Sequence, residues 1–591
     1  MKASGDELLG AATRYSALRC TALALLTVAS AGAALLLPYA LARTLDAIFT
    51  AYAAGVMDSV GGEVGRWLLI SAALLGGMTV LDSCEEILTG TTNARTTAWL
   101  RLRLLRHVLA AGPRTTARFP AGELLARLVG NTAQAGPAPA TFAALLAALV
   151  APLGAIVALA LLHPWLAIVF LAGAPALALL LRSFARASSD CVAQYQRIQG
   201  DIAGRLTEAI GGARTVAAAR TEEKEAGRIL EPLPELARQG RRMWRIQGRA
   251  SGGAVALAPL LQIAILVTAG HLVLEHRLTV GQLLATTRYA ALATGVGVLV
   301  GHLAGLVRAR AAGQRLGEVL SEPAPGHGSV EVLDGQGELK LRGISAHRDG
   351  RPVLDALDLT VPAGTTLAVV GVSGAGKSLL AAVAGRLTDP DAGTVLLDGV
   401  PLPDLTRAAL RREIGYAFER PALLGGTLGG TIALGSDTSS RDDVVRAARA
   451  ARADGFVRRL PQGYDTACLD APLSGGEVQR LGLARAFTHG GRLLILDDAM
   501  SSLDMITEHE IADALLRHTP ATTRLVVAHR ATTAARADTV AWLDGGRIRA
   551  LGPHAVLWRN PSYRAVFAGD GEGGDAGAGA GAAESEGEGG A

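Results

Sequence analysis

The feature that most constrains this chain is a series of six apolar stretches in its first half, at about Cys20–Ala42, Trp67–Leu81, Phe142–Leu162, Trp165–Leu181, Val255–Leu274 and Leu283–Leu306. A helix of about 20 apolar residues crosses the ~30 Å hydrocarbon core of a bilayer. Because lipid offers no partners to the backbone, such stretches are expected to form transmembrane helices, six in all. Half of all residues are hydrophobic and only 19% are charged, a balance that belongs to a membrane protein rather than a soluble enzyme. The second run stops early at Asp82, so its helix is expected to continue past Glu85 and Glu86, beyond the membrane. Two intervals, about Asp82–Thr141 and Arg182–Ser251, are too long for turns and carry helical spacing, as in Ile202, Leu206 and Ile210; they predict helices that leave the membrane and return.

Arginine placement sets the expected orientation, since basic residues near helix ends stay on the cytoplasmic side. The segment after the second run carries Arg95, Arg101, Arg103, Arg106, Arg114, Arg118 and Arg127, whereas the turn His163-Pro164 carries none. The amino terminus is therefore expected in the cytoplasm, as is the second half after six crossings, in a multi-pass protein of the cell membrane. The net charge of +4 rests on arginine, with only four lysines, Lys2, Lys224, Lys340 and Lys377. It follows a general Ala/Gly/Arg richness, and no nucleic-acid partner is expected. Cys20, Cys84, Cys191 and Cys468 show no C-x-x-C spacing, so neither a disulfide framework nor a zinc site is indicated.

The second half reads as a soluble α/β domain. Domain limits are expected at 1–324 for the membrane part, 325–337 for a Gly-rich linker, 338–567 for the α/β domain and 568–591 for a disordered acidic tail. Strands are expected at Leu339–Ile344, Asp358–Val361 and Thr366–Val370. The last runs into Gly371-Val372-Ser373-Gly374-Ala375-Gly376-Lys377-Ser378, followed by Leu379, a match to the phosphate-loop pattern G-x-x-x-x-G-K-[ST]. Glycines let successive N–H groups converge on the β- and γ-phosphates, and the helix opening at Lys377 adds its positive dipole end. Lys377 brings a compact positive charge, and Ser378 a hydroxyl for Mg²⁺. Further on stand Leu473-Ser474-Gly475-Gly476-Glu477, whose Ser-x-x-Glu also reads as a helix capping box. Then come a buried strand ending in Asp497-Asp498, Ser501-Ser-Leu-Asp504, and Ala528-His529-Arg530.

This ordered set resembles the ATP-binding-cassette transporters, and the resemblance extends over nearly the whole chain. Gly122-Glu-Leu-Leu-Ala-Arg127-Leu, Gly212-Ala-Arg214-Thr-Val, Thr279-Val-Gly281 and Ala312-Gly-Gln-Arg315-Leu carry it into the first half. It implies an exporter-type half-transporter: an α-helical membrane domain followed by an α/β phosphate-loop cassette, driven by ATP with Mg²⁺. In such a protein Lys377 neutralises phosphate charge, Ser378, Asp497 and Glu419 hold Mg²⁺ directly or through water, and His529 contacts the γ-phosphate or attacking water. Ser474 and the amides of Gly475 and Gly476 face ATP held by a second cassette, so a second half-transporter is the implied partner, beside the bilayer and the cargo.

Some positions depart from the family pattern. Asp498 stands where a glutamate usually polarises the attacking water, Glu419 where the Q-loop has glutamine, and Arg348 or His347 where an aromatic residue stacks on adenine. The shorter carboxylate withdraws by about 1.5 Å, and a displacement near 1 Å costs on the order of 10²-fold in rate. The implied function is ATP-driven export of a small or amphipathic molecule, lipid or peptide, by a heterodimer in which the site built on Lys377 hydrolyses weakly. A regulatory ATP-binding subunit and an importer on the exporter fold are the alternatives.

Overall fold

Long helices carry all six apolar runs. The computed structural model describes residues 5–54, 61–295, 297–331, 334–348, 350–436, 439–518 and 522–568, and contacts divide the chain into two units, Met1–Ala111 with Thr115–Pro323, and Ala324–Ala591 with Gly112–Arg114. In the first unit the main helices are Ala17–Ala54, Gly61–Ala111, Ala138–Ala147 with Val150–Leu162, Pro164–Gly211, Leu233–Leu274, and Val280–Thr294 followed by Gly297–Leu320. Among the described residues three helical stretches, Ala17–Thr50, Gly62–Ala111 and Ala121–Leu162, are long and apolar enough to cross a membrane, while Pro164–Ala176 and Pro259–Leu274 are shorter apolar runs. The expected third span is thus not one straight helix: it breaks at Ala148–Leu149. The second helix runs unbroken through Asp82, Glu85 and Glu86 to Ala111.

Many large apolar side chains in this unit point outward, among them Leu18, Leu25, Leu69, Leu161 and Leu274. Lipid is as apolar as leucine, so helix association there relies on close packing rather than on hiding hydrophobic surface. The packed interior shows this in its small residues: Ala155, Ala269, Ala285, Ala290 and Ala293 sit among Leu159, Leu166, Phe170 and Ile265. Gly281 lies so close to the first long helix that a Cβ would meet the Ala42 carbonyl at 2.2 Å, and Asp46 accepts its N–H at 2.8 Å.

The second unit holds two sheets. One is antiparallel, in the order β2-β1-β4-β5, with β1 Leu339–Arg348, β2 Arg351–Val361, β4 Ala392–Leu397 and β5 Val400–Pro401. The other has the order β10-β9-β3-β8-β7-β6, built from β3 Thr366–Val370, β6 Ile414–Phe418, β7 Leu493–Asp497, β8 Thr523–Val527, β9 Thr539–Asp544 and β10 Arg547–Gly552. β3, β6, β7, β8 and β9 are parallel neighbours, so their carboxyl ends share one edge, the edge where open α/β sheets bind ligands. Four of the five residues of β7 are buried on both faces, as a continuous apolar run in a covered parallel sheet requires. The expected strands at 339–344 and 358–361 are longer than the sequence pattern suggested. They form one hairpin whose register slips three times, between Leu341 and Ile344, between Ile344 and Ala346, and between Ala346 and His347; these irregularities break the period-two signal.

The stretch read as a linker is laid against the second unit. Gly328 N–H donates to Pro403 O at 2.8 Å, Val330 N–H to Asp404 O at 3.0 Å, and Thr406 N–H returns to Val330 O at 2.9 Å. Buried Arg386 donates to Leu402 O at 3.0 Å, pairs with Asp389 at 3.0 Å, and also bonds Gly326 O. The acidic tail expected at 568–591 lies, after Ala568, outside the described residues.

Candidate functional site

The phosphate loop leaves the end of β3 and enters the helix Lys377–Ala384. Gly374 and Gly376 adopt φ of +83° and +100°, backbone that side-chain-bearing residues rarely take. Gly371 is required by space, since a Cβ there would meet Leu543 O at 2.3 Å. Lys377 is buried, its Nζ donating to Gly371 O at 2.7 Å and Val372 O at 3.2 Å. The ammonium is therefore held at the loop's own mouth. Val372 and Ser373 are exposed on the loop, Ala375 is buried beneath it, and Leu379 turns away to pack on the core.

Two strands away, β7 ends in Asp497. The Tyr416 hydroxyl donates to its Oδ2 at 3.3 Å, while Oδ1 is buried with no hydrogen-bond partner. Burial pushes the Asp497 carboxyl above its usual range, helped by the neighbouring carboxylates Asp498 and Glu419 and opposed by hydrogen bonding from Ser378 and Tyr416. An orphaned carboxylate oxygen beside a serine hydroxyl and other acids is the donor set of a hard divalent cation with oxygen ligands. These residues fit Mg²⁺.

Asp498 takes φ of +56°, which turns its carboxylate toward the end of β8. There its Oδ2 lies 3.0 Å from His529 Nε2. Glu419, just past β6, is half exposed and lies 3.4 Å from Arg420. Ser501, Ser502 and Asp504 follow Asp498, and Asp504 accepts from Ile506 and Thr507 N–H at 3.1 and 2.9 Å to start the helix Met505–His518.

Ser474 caps the helix Gly475–Thr488 in the reciprocal box read from sequence: its N–H donates to Glu477 Oε2 at 2.9 Å and its Oγ accepts from Glu477 N–H at 3.4 Å. The bond from the Ser474 N–H holds the Glu477 carboxyl below its ordinary value. The N–H groups of Gly475 and Gly476 have no acceptor among the described residues. Nothing lies within 4 Å of a Cβ built on Gly475, so packing within this chain does not require a glycine there.

Arg348 ends β1 on an exposed edge, opposite Arg351 in register. His347 beside it is engaged by Asp391, whose carboxylate accepts from the His347 N–H at 2.7 Å and lies 3.0 Å from Nδ1. Lys377, Ser378, Asp497, Asp498, Glu419 and His529 thus share the carboxyl edge of one sheet, while Ser474 to Gly476 present a separate helix start.

Two residues, Tyr416 on Asp497 and Gln479, were missed by sequence reasoning. Buried Gln479 donates from Nε2 to Glu419 O at 3.0 Å, Asp498 O at 3.3 Å and Ser501 Oγ at 3.2 Å, and its Oε1 accepts from Ser502 N–H at 3.1 Å. It ties the helix behind Ser474 to the acids of β7 and the turn after them. A polar residue amid the inward-facing Leu481, Leu483 and Ala484 was the available signal.

Comparison with known proteins agrees with both halves. Residues 21–296 match the model for the ABC transporter transmembrane region and residues 354–501 the model described as ABC transporter. The chain is 53% identical to the ABC transporter ATP-binding protein RamA of Streptomyces coelicolor, over 92% of this chain and 84% of that one. It is 31% identical to an ATP-dependent lipid A-core flippase of Albidiferax ferrireducens, over 82% and 85%. In fold it is similar to a bacterial Atm1-family ABC exporter with ATP bound, with a TM-score of 0.80 at 23% identity over 95% of this chain and 99% of that one. With an apolar helical half of that kind ahead of a phosphate-loop sheet, the chain belongs to the ABC transporters, as an ATP-binding half-transporter of the exporter type.

Proposed function

We propose that this chain is the weakly hydrolysing half of an asymmetric ABC exporter, completed by a different half-transporter. The observation that carries the reading is Asp498: it stands where the water-polarising glutamate is expected, and its short carboxylate is engaged with His529 at 3.0 Å. Lys377 and the loop amides bind the phosphates, and Ser378, Asp497 and Glu419 would hold Mg²⁺, which when bound neutralises charge on the phosphate oxygens. His529 contacts the γ-phosphate or water, and Arg348 lies beneath the adenine. Ser474, with the amides of Gly475 and Gly476, serves the nucleotide of the partner, whose own glutamate performs most of the turnover. ATP clamped between two cassettes shifts their equilibrium because it binds the closed pair better than the open one.

In this reading the membrane part spans 1–324 with six crossings, the linker 325–337, the cassette 338–567 and the tail 568–591. The amino terminus and cassette face the cytoplasm at the cell membrane. The cargo is small or amphipathic, a lipid or peptide. Similarity to a flippase of a lipid supports that class, and so does Arg288, exposed on the membrane helix Val280–Thr294, since intramembrane charges commonly serve a cavity or partner. The test is ATPase activity of the purified chain alone and with a second half-transporter from the same cell. Low activity alone, rising on pairing, is expected. Fast turnover by the lone chain, abolished by Asp498→Asn, would refute the pairing.

A further inference from the structure

The helix Ala17–Ala54 contains 23 successive uncharged residues, Cys20–Ala42, about 34 Å of helix at ~1.5 Å per residue, close to the ~30 Å thickness of a hydrocarbon core. Arg19 therefore marks one edge of the membrane. Leu18 and Leu25, 85% and 70% exposed, show the face that lipid covers. Arg19 donates to Thr91 at 3.4 Å, which puts Thr91 at the same level on the next helix. Arg95, one turn further, lies about 6 Å beyond that edge, inside a headgroup layer of roughly 5–7 Å.

From this level outward the side chains form a ladder, Trp99 and Arg103 lying about 12 and 18 Å past Thr91 along the same helix. Tyr15 and Trp99 stack with centroids 5.2 Å apart and planes 17° from parallel. Arg95 lies over the Tyr15 ring at 5.5 Å and donates from Nε to the Tyr15 hydroxyl at 3.2 Å. Arg103 lies over the Trp99 ring at 5.2 Å and closes the stack from below. Elsewhere in the same unit Arg118, Arg127, Arg205, Arg228 and Arg310 pair with carboxylates. Among the described residues no carboxylate pairs with Arg19, Arg95 or Arg103. A guanidinium tied through Nε to a tyrosine hydroxyl and lying within cation–π range of its ring keeps its remaining N–H donors as a planar fork, the arrangement that suits phosphate.

We propose that Arg19 and Arg95, the latter held by the Tyr15–Trp99–Arg103 stack, bind the phosphate of an anionic phospholipid in the cytoplasmic leaflet. The leaflet rests on the orientation given above. Arg19 and Arg95 are the contacting residues; Tyr15, Trp99 and Arg103 are positioning residues.

The test uses the full chain in detergent, with retained phosphatidylglycerol and phosphatidylcholine counted by native mass spectrometry. Retention of phosphatidylglycerol over phosphatidylcholine is expected. Arg95→Gln should lower phosphatidylglycerol retention about fivefold, the worth of one basic residue at an anionic surface, with phosphatidylcholine unchanged. Arg95→Lys, which keeps charge but loses the stack, should fall between, and Arg238→Gln, an exposed arginine of a different helix, should match the unaltered protein. Equal retention of both lipids, or the same loss in Arg238→Gln as in Arg95→Gln, would overturn the site. So would displacement of the lipid by excess inorganic phosphate, which would mark a free-phosphate site. Size-exclusion profiles and melting temperatures keep misfolded variants out of the comparison. Labelling of Arg14→Cys by an impermeant maleimide in intact cells would overturn the orientation, whereas lost lipid selectivity with labelling confined to lysed cells overturns the site alone.

Discussion

The two edges of the cassette to which the proposal assigns nucleotide differ in how far each is finished within this chain. At the phosphate-loop edge, Lys377 is buried against its own loop carbonyls and Asp498 is engaged by His529. At the Ser474 edge, the capping box holds the helix start while the Gly475 and Gly476 N–H groups have no acceptors among the described residues. In the proposed reading the first holds phosphate but is altered at the acid that acts on water. The second keeps a glycine, Gly475, that this chain's packing does not require. On that proposed reading binding and turnover are separable properties, and the weakness lies with one acid rather than with the fold.

The most severe break in that comparison is Lys377→Ala, which should weaken ATP binding at this chain's own loop by about 10²-fold or more, the scale for loss of a charged donor in a preorganised site; calorimetric titration with the chain held as a monomer checks it. Next, Asp498→Glu restores the missing reach and should raise ATPase of the lone chain by roughly 10- to 100-fold, read in a phosphate-release assay. An unchanged rate would place the defect elsewhere, with Glu419 the first suspect. In the paired complex, Ser474→Ala should cut turnover about tenfold while leaving ATP binding at the Lys377 loop intact, and it should also cost the helix about 1 kcal/mol in lost capping.

The smallest effect concerns pH. Glu477 has its carboxyl lowered by the bond from the Ser474 N–H. A group whose folded value is lowered contributes stability above its unfolded value and loses it as pH falls through the folded one. Unfolding midpoints should therefore drop below about pH 4.3 more steeply in the native chain than in Glu477→Gln, whose amide keeps the box without titrating. Parallel curves would remove Glu477 from the account.

How much of this was legible in sequence depended on whether the signal was local. The phosphate loop, the capping box and the acids closing β7 are contiguous, and each has a spacing fixed by its own backbone geometry. Gln479 was not legible, because its four bonds reach Glu419, Asp498, Ser501 and Ser502, partners that only the fold brings together. Tyr416 was hidden for the same reason, since a tyrosine in an apolar strand looks like core until its hydroxyl is seen on Asp497. The β1–β2 hairpin was under-read because three register slips break its alternation. In the membrane unit apolar runs located the helices but not the break at Ala148–Leu149, although Pro152, which cannot donate to the Ala148 carbonyl one turn back, was a signal for it.

The strap that runs from Gly326 to Val330 along Leu402–Leu405 decides where the ATP-binding half can be cut away for study on its own. Excision at 338, just before the first strand, would strip Arg386 of its Gly326 acceptor and Thr406 of its Val330 acceptor, each a net loss of about 0.5–1.5 kcal/mol. A fragment opening near Ala324 keeps both bonds, and should stay in solution where the shorter one precipitates.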